Sequence, residues 1–199
     1  MLFTKTSCFR AVKLMPSAAG GRRTFWGWLN AVFNIVDPDR IKAVGPDIAA
    51  AEWLLRCGAG VRYKNFETWH YDYNNQPIGP LKTFKIEAID ATDSCIMAKG
   101  FDYLEYLEHV KEIKFQKCMY IQDECIVRLC NIQNIQKSLL RLEIISCGNV
   151  TDKGILAINH LKNLNYLFLS DLPGIREKEK TIQILKTALP ACEVKVDLA

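Results

Sequence analysis

The apolar residues in the C-terminal half of the chain recur with a spacing that changes from strand-like to helix-like. Leu142 and Ile144 alternate with polar residues, as in a short strand with one buried face. After Val150 the apolar residues return every three or four positions, which is the spacing of a helix with one buried side. The pattern restarts at Leu164, so residues 139–172 predict one strand–helix unit and the strand of the next unit.

A second copy of this unit lies upstream. The two copies align at a constant offset along the sequence, so that Ile113 corresponds to Leu142. A further unit begins at Leu167 after a shorter offset, a degraded copy starts at Ile89, and a last strand contains Val194. The positions matched at the constant offset are Ile113, Phe115, Cys118, Ile121, Asp123 and Ile126, over Leu142, Ile144, Cys147, Val150, Asp152 and Ile155. Because one unit cannot bury its own strand face, we expect an α/β protein whose residues 81–199 stack about four strand–helix repeats into a short leucine-rich-repeat solenoid.

Two further kinds of residue recur at fixed places in these units. An acidic residue stands in the first helical turn, as Asp123, Asp152 and Glu177, where we expect it to meet the positive end of the helix dipole. Cysteines stand at equivalent positions after two of the strands, as Cys118 and Cys147, and we expect both in the core. A redox-active thiol is the alternative.

Residues 25–80 predict a helical domain, rich in aromatic residues, that caps the repeats. The clearest helix covers residues 49–57 and ends at Gly58, the residue type most common just past a helix C terminus. An earlier helix over residues 25–33 carries aromatic residues at helical spacing, which favours a face in the core; a surface that meets a partner or a membrane is the alternative. The aromatic residues that follow, up to residue 80, predict a hairpin or an extended cover.

Residues 1–24 have the composition of a mitochondrial presequence. They contain five basic residues and no acidic residue, and the first acid is Asp37. An exposed basic tail is the alternative. Without these five charges, the remaining chain has 21 Lys and Arg residues and 22 Asp and Glu residues. Its net charge is therefore close to zero, and it has no overall positive charge that would attract nucleic acid. No run reaches the roughly eighteen uncharged apolar residues of a membrane span.

Catalytic motifs are absent from the sequence. The eight cysteines include no C-x-x-C pair, and the three histidines do not form an H-E-x-x-H motif. There is no P-loop and no G-x-S-x-G motif, so we expect a binding protein and not an enzyme. One polar cluster, with Asp90, Thr92, Asp93 and Ser94, has enough oxygen atoms to hold a hard divalent cation such as Mg²⁺. Composition alone favours a different role for the same residues, the capping of a turn and of the next helix.

Several longer motifs resemble one known family. They are FWGWLNAVFN, GPD-x-AA-x-EWLLRCGA, AIDATDSCIM, EIISCGN-x-TDKGI and LFLSDLPG. Together they are similar to the mitochondrial coupling factor B family, the ATP synthase subunit s proteins. The resemblance implies a non-enzymatic leucine-rich-repeat protein, peripheral on the matrix side of the inner membrane. It further implies contact with membrane-sector or stalk subunits of ATP synthase, support of coupled proton conduction, and limitation of proton leak.

The same resemblance implies a weakly held, structural Mg²⁺ whose ligands are main-chain oxygens of Gly58 and Thr92. It also marks one departure, because family members carry a C-x-C pair where this chain has Gln116 and Cys118. Related leucine-rich-repeat proteins assist the assembly of the membrane arm of respiratory complex I. An assembly factor that binds complex I intermediates is therefore the alternative function.

Overall fold

The structure is a computed structural model that describes residues 20–75 and 83–198, with side chains from Gly27 onward. The predicted presequence, residues 1–24, falls mostly outside the described residues. In the described residues three helices come first, three strands follow, and strands and helices alternate from there on. The helices are α1 (Gly20–Phe33), α2 (Pro38–Val44), α3 (Pro46–Arg56), α4 (Asp123–Asn131), α5 (Gln133–Ser138), α6 (Asp152–Ala157) and α7 (Lys178–Ala188), with 3₁₀ helices at Ala98–Leu104 and Ile158–His160.

Seven strands form one sheet in the described part of the chain, which confirms a mixed α/β fold. The strands are β1 (Gly60–Tyr63), β2 (Trp69–His70), β3 (Ile86–Thr92), β4 (Glu112–Gln116), β5 (Arg141–Ile145), β6 (Tyr166–Ser170) and β7 (Glu193–Asp197). Their order across the sheet is β2-β1-β3-β4-β5-β6-β7. Strands β3 to β7 are parallel and lie in chain order, whereas β1 is antiparallel to β2 and to β3.

The strand register confirms the alignment of strand positions that the sequence predicts. Ile113 pairs with Leu142, as the constant offset requires, and Leu142 pairs with Leu167, as the shorter offset requires. Ile89 of the degraded copy pairs with Ile113, and Val194 of the last strand pairs with Leu167. The apolar side chains in these rows face the helices and are buried, except for the half-exposed Val194. The sheet itself continues from β1 into β3, so the predicted division at residue 80 stays a prediction.

The recurring acidic residues connect one unit to the next. Asp123 accepts hydrogen bonds from the Thr151 N–H at 2.8 Å, the Thr151 hydroxyl at 2.6 Å and the Gly154 N–H at 3.1 Å. A Cβ atom on Gly154 would lie 2.5 Å from Asp123 Oδ1, so glycine permits this approach. Asp152 repeats the arrangement with the N–H groups of Arg176 and Glu177 and the Thr181 hydroxyl. The predicted position in the first helical turn is confirmed for Asp123 and Asp152, whereas Glu177 is the residue just before α7. The hydrogen bonds of the two aspartates reach the start of the following helix.

We expect Asp152→Ala to lower the free energy of unfolding by about 2 kcal/mol, since hydrogen bonds to a carboxylate contribute about 1.5–3 kcal/mol. Glu177→Ala is the matched control, because Glu177 holds the corresponding place and makes only an exposed ion pair with Lys180 at 2.6 Å. Its effect should stay below about 1 kcal/mol. Urea denaturation of both variants measures the difference. Equal losses in the two variants would contradict the connecting role of Asp152.

The contribution of Asp152 also depends on pH. Burial acts to raise the pKa of this carboxyl, but the hydrogen bonds from Arg176, Thr181 and Glu177 outweigh it, so the pKa lies below its ordinary value. A depressed pKa stabilises the folded state above the ordinary pKa of about 3.9, and the stability is lost as the pH falls through the folded-state pKa. Between pH 5 and pH 2, the free energy of unfolding should therefore fall by less in Asp152→Ala than in the wild type, as acid denaturation would measure.

Candidate functional site

The two residues predicted to hold Mg²⁺ lie at the junction between the N-terminal helices and the parallel strands. Gly60 pairs with Asp90 and Val61 with Ile89, so the same antiparallel register, extended by two residues, brings Gly58 across from Thr92. The N–H of Cys95 donates to the carbonyl of Cys57 at 2.9 Å, which joins the two segments at this point. The structure thus brings together two residues that are far apart in the sequence.

Helix α3 ends at Arg56, and Gly58 follows with a φ angle of +85°. The N–H groups of Gly58 and Ala59 donate to the carbonyls of Leu55 and Leu54. This left-handed residue closes the helix and turns the chain directly into β1, as the sequence predicts. Gly58 is exposed and Thr92 is half-exposed, so both segments have access to solvent.

The donor chemistry at this junction fits a hard cation that keeps most of its water. The described residues contain no group of three or more His, Cys, Asp or Glu side chains arranged to hold a metal ion. Main-chain oxygens and water are hard ligands that Mg²⁺ accepts, whereas transition metals favour nitrogen or sulfur. The side chain of Thr92 is already engaged, because its hydroxyl donates to Asp90 Oδ1 at 2.6 Å.

Asp90 connects the junction to the exposed face of the sheet. Its Oδ2 accepts a hydrogen bond from the Tyr71 hydroxyl at 2.9 Å, while Oδ1 accepts from Thr92. Partial burial and this hydrogen bond to a carboxylate raise the pKa of Tyr71 to about 12, so the phenol remains protonated and donates. Of the predicted oxygen-rich cluster, Ser94 is fully buried and donates to the Ala91 carbonyl, which is a turn-capping role.

Asn34 is the residue that sequence reasoning missed. It is fully buried, and its amide joins the segments that surround the junction. Oδ1 accepts from the indole N–H of Trp53 at 3.1 Å and from the Met97 N–H at 2.8 Å. Nδ2 donates to the carbonyls of Cys95 at 3.0 Å and Asn30 at 2.8 Å. These four hydrogen bonds fix α1, α3 and the segment after β3 relative to one another.

The part of α1 whose side chains the structure describes, from Gly27 onward, has both exposed and inward-packed apolar residues, so the choice between a core face and a surface stays open for the whole helix. Trp28 is 61% exposed and Val32 is 37% exposed, and Ile35, just beyond the helix, is 59% exposed. The opposite side of the helix end packs inward through Asn34, with Phe33 half-buried against the core. Helical spacing alone identifies a face but not the direction in which it points. Trp28 and Val32 are thus exposed, whereas a partner or a membrane that meets this surface stays a prediction.

Cys118 and Cys147 are fully buried, as the repeat positions predict. The pKa of the Cys118 thiol is lowered, first because Cys147 donates a hydrogen bond to it and further because the main-chain N–H of Ser94 does so, against the effect of burial. The pKa of Cys147 is raised, first because its proton is held by Cys118 and second because it is buried. Cys118 Sγ lies 3.3 Å from Ser94 Oγ and 2.6 Å from the Ala91 carbonyl oxygen. The thiols therefore belong to the packed interior between successive strands.

The solvent-facing side of the sheet carries paired charges and aromatic rings. A shallow groove of about 190 Å³ lies between the aromatic pair Trp69 and Tyr71 and the polar residues of β4 and β5. The guanidinium of Arg62 stacks on Trp69 at 5.3 Å, and that of Arg141 stacks on Tyr166 at 4.0 Å. Such contacts hold both rings against the sheet.

Within residues 20–75 and 83–198, no helix combines the length and the apolar character needed to cross a bilayer.

Curated relatives match the chain over nearly its whole length, although no protein-family profile matches it. Three are named "ATP synthase subunit s, mitochondrial". The relative from Pongo abelii is 61% identical over 201 residues, covering 100% of this chain and 99% of its own. Those from Homo sapiens and Bos taurus are 62% identical over 187 residues and 60% identical over 201 residues, covering 94% and 100% of this chain and 93% and 99% of their own.

A more distant relative from Drosophila melanogaster is named "Distal membrane arm assembly component 2". It is 25% identical over 166 residues, which are 79% of this chain and 56% of that relative. The motif resemblance noted in the sequence is thus confirmed by the identities to the three subunit s proteins, which extend over nearly the full chain. The chain belongs to the mitochondrial ATP synthase subunit s family.

Proposed function

We propose that the protein is a non-enzymatic regulatory subunit of mitochondrial ATP synthase that supports coupled proton conduction and limits proton leak. The observation that carries the proposal is the identity of 60% and 61% to relatives of that name over the full chain. It binds membrane-sector or stalk subunits and stays peripheral on the matrix side of the inner membrane. Residues 1–24 act as the transit peptide that directs it there.

The part of the chain that presents the binding surface is a leucine-rich-repeat solenoid of about four units. Support comes from five parallel strands in chain order, whose register repeats the sequence offsets. Further support comes from the two carboxylates that connect successive helix starts. Stacked units give a continuous sheet face, and extended faces of this kind usually bind other proteins.

The proposal is tested in mitochondria depleted of the protein and complemented with the wild-type chain. Proton leak is measured as respiration with ATP synthase inhibited, together with the rate of ATP synthesis. We expect depletion to raise the leak and lower ATP synthesis, and complementation to restore both. Unchanged leak and unchanged synthesis in fully depleted mitochondria would contradict the proposal.

The second candidate function is that of an assembly factor for the membrane arm of respiratory complex I. It is favoured by the match to a relative whose name refers to assembly of a distal membrane arm. The identity of 25% is well below that to the subunit s proteins. Native gels of the same depleted mitochondria separate the two functions, because stalled complex I intermediates beside normal ATP synthase would favour assembly.

A weakly bound Mg²⁺ at Gly58 and Thr92 would reinforce the junction. The ion, when bound, supplies an electrostatic bridge between the two main-chain segments. The chain's own residues hold those segments in place through the Cys95–Cys57 hydrogen bond and the left-handed Gly58. Because the ligands are few and largely water, we expect affinity in the millimolar range.

Calorimetric titration with MgCl₂ measures that affinity. Gly58→Ala places a Cβ at a φ of +85° and should displace the carbonyl, at a cost of about 1 kcal/mol in stability. We expect Mg²⁺ to raise the melting temperature of the wild type and to have a smaller effect on this variant. Gly148→Ala is the control, since its Cβ would meet nothing closer than 4.0 Å. An identical response of all three proteins would exclude Gly58 as a ligand.

A further inference from the structure

Cys57 and Cys95 lie side by side at the junction, on segments that are far apart in sequence. Cys57 directly follows helix α3, and Cys95 lies in the irregular stretch between β3 and the 3₁₀ helix Ala98–Leu104. The Cys95 N–H donates to the Cys57 carbonyl at 2.9 Å. Their exposed fractions are 1% and 6%.

This hydrogen bond limits the distance between the two Cα atoms. The N–Cα bond is about 1.46 Å and a carbonyl oxygen lies about 2.4 Å from its own Cα, as standard bond lengths give. With 2.9 Å between nitrogen and oxygen, the two Cα atoms are therefore separated by at most about 6.8 Å. Disulfides span Cα separations of about 4.4–6.8 Å. The backbone is thus already within the range that a disulfide requires.

The two side chains also contact each other. A hydrogen bond joins the two thiol groups. Both residues are free thiols in this structure.

We propose that Cys57 and Cys95 are a modification site: they form a reversible disulfide when a low-molecular-weight disulfide such as oxidised glutathione acts as oxidant. Cys95, the less deeply buried of the two, loses its proton to water, attacks one sulfur of oxidised glutathione, forms a mixed disulfide and releases one glutathione thiolate. Cys57 then loses its proton to water, attacks the Cys95 sulfur and releases the second glutathione. Two protein thiols are oxidised and one glutathione disulfide is reduced to two thiols.

The crosslink has a defined structural effect. It ties the end of α3 to the segment after β3, the same two segments that contain Gly58 and Thr92. The carbonyl of Cys95 also accepts a hydrogen bond from Asn34 at 3.0 Å, so α1 is connected to the crosslinked segment. Closing the loop of residues 57–95 restricts the unfolded chain, and the thermal midpoint should rise by about 5 °C or more.

The experiment uses the folded full-length chain, incubated with excess oxidised glutathione and quenched by alkylation. Peptide mass spectrometry should identify one disulfide within the chain, Cys57–Cys95, with a loss of two hydrogens and no glutathione retained on either of these two cysteines. The rise in thermal midpoint should appear with the same time course and reverse in dithiothreitol. Because both thiols are buried, we expect oxidation to be slower than glutathionylation of the half-exposed Cys192.

Cys57→Ala and Cys95→Ala should abolish the rise in thermal midpoint, and Cys192→Ala, the matched control, should leave it unchanged. The mapping on the wild-type chain does not depend on whether a variant folds. Two results would overturn the proposal. One is that Cys57 and Cys95 stay alkylatable after Cys192 is fully modified; the other is that Cys95 pairs with Cys118 instead.

Discussion

Replacement of Asn34 by alanine is expected to lower the free energy of unfolding by about 4 kcal/mol, because each unpaired buried polar group costs about 1–3 kcal/mol. The substitution leaves the buried N–H of Trp53, the part-buried N–H of Met97 and the buried carbonyl of Cys95 without the partner they have in Asn34. For a chain of this size the thermal midpoint should fall by roughly 10 °C, which calorimetry or circular dichroism would record.

Asn149→Ala is the matched control for Asn34→Ala. Asn149 is exposed and its side chain makes one hydrogen bond, to the Met119 carbonyl at 2.7 Å. The groups left by its removal are free to bind water, so the loss should stay below about 1 kcal/mol. If Asn34→Ala were as mild as Asn149→Ala, the claim that Asn34 organises the junction would fail.

Gly100→Ala is expected to be similarly damaging, for a steric reason. A Cβ at this position would lie 2.3 Å from Cζ2 of the Trp53 ring, and both residues are buried. The ring is not free to move, because Asn34 holds its N–H and Tyr103 stacks on it with ring centres 5.4 Å apart. Overpacking of a rigid core usually costs about 1–3 kcal/mol, and we expect the upper end of that range.

A double-mutant cycle tests the stated cause. Trp53→Phe removes the part of the ring that the new methyl group would strike, so the cost of Gly100→Ala should fall in the Trp53→Phe background. Gly148→Ala again serves as the control, with an expected change within about 0.5 kcal/mol, because its nearest atom is 4.0 Å away. Additive effects of Gly100→Ala and Trp53→Phe would show that the damage has another source.

The elements that the sequence predicts best are those fixed by local pattern. The two offsets between repeats reappear as strand register, because apolar positions that face one core must align across neighbouring strands. Gly58 ends α3 as expected, since a left-handed residue at a helix end favours glycine. Burial of Cys118 and Cys147 follows from their place in the same pattern.

The other features of the fold and of the site depend on contacts between segments that are far apart in the sequence. The spacing of apolar residues does not predict such contacts. The role of Asn34 exists only because Trp53 and Met97 come within hydrogen-bond distance of it. Trp28 lies on the outward face of α1, because the side of that helix that carries Asn34 packs against the junction. The oxygen-rich cluster is visible in the sequence, but its approach to Gly58 results from the antiparallel pairing of β1 with β3.

The hydrogen bonds of Asp152 to the next unit could be predicted from the sequence only in part. Its position in the first helical turn is a local signal, and the sequence predicts an acid there for the helix dipole. The partners, however, belong to the next unit, at Arg176 and Thr181. The sequence offers one signal for these contacts between units: an acidic residue recurs, and Gly154 lies in the same unit. A glycine permits the close approach of neighbouring units because it has no side chain.

Crosslinking mass spectrometry in intact mitochondria would show whether this protein contacts ATP synthase. We predict lysine crosslinks from the sheet side of the chain, for example from Lys195 and Lys114, to membrane-sector or stalk subunits of ATP synthase. Lys195 is exposed on this face and Lys114 is half-exposed. Crosslinks confined to subunits or assembly intermediates of complex I, with none to ATP synthase, would contradict the account.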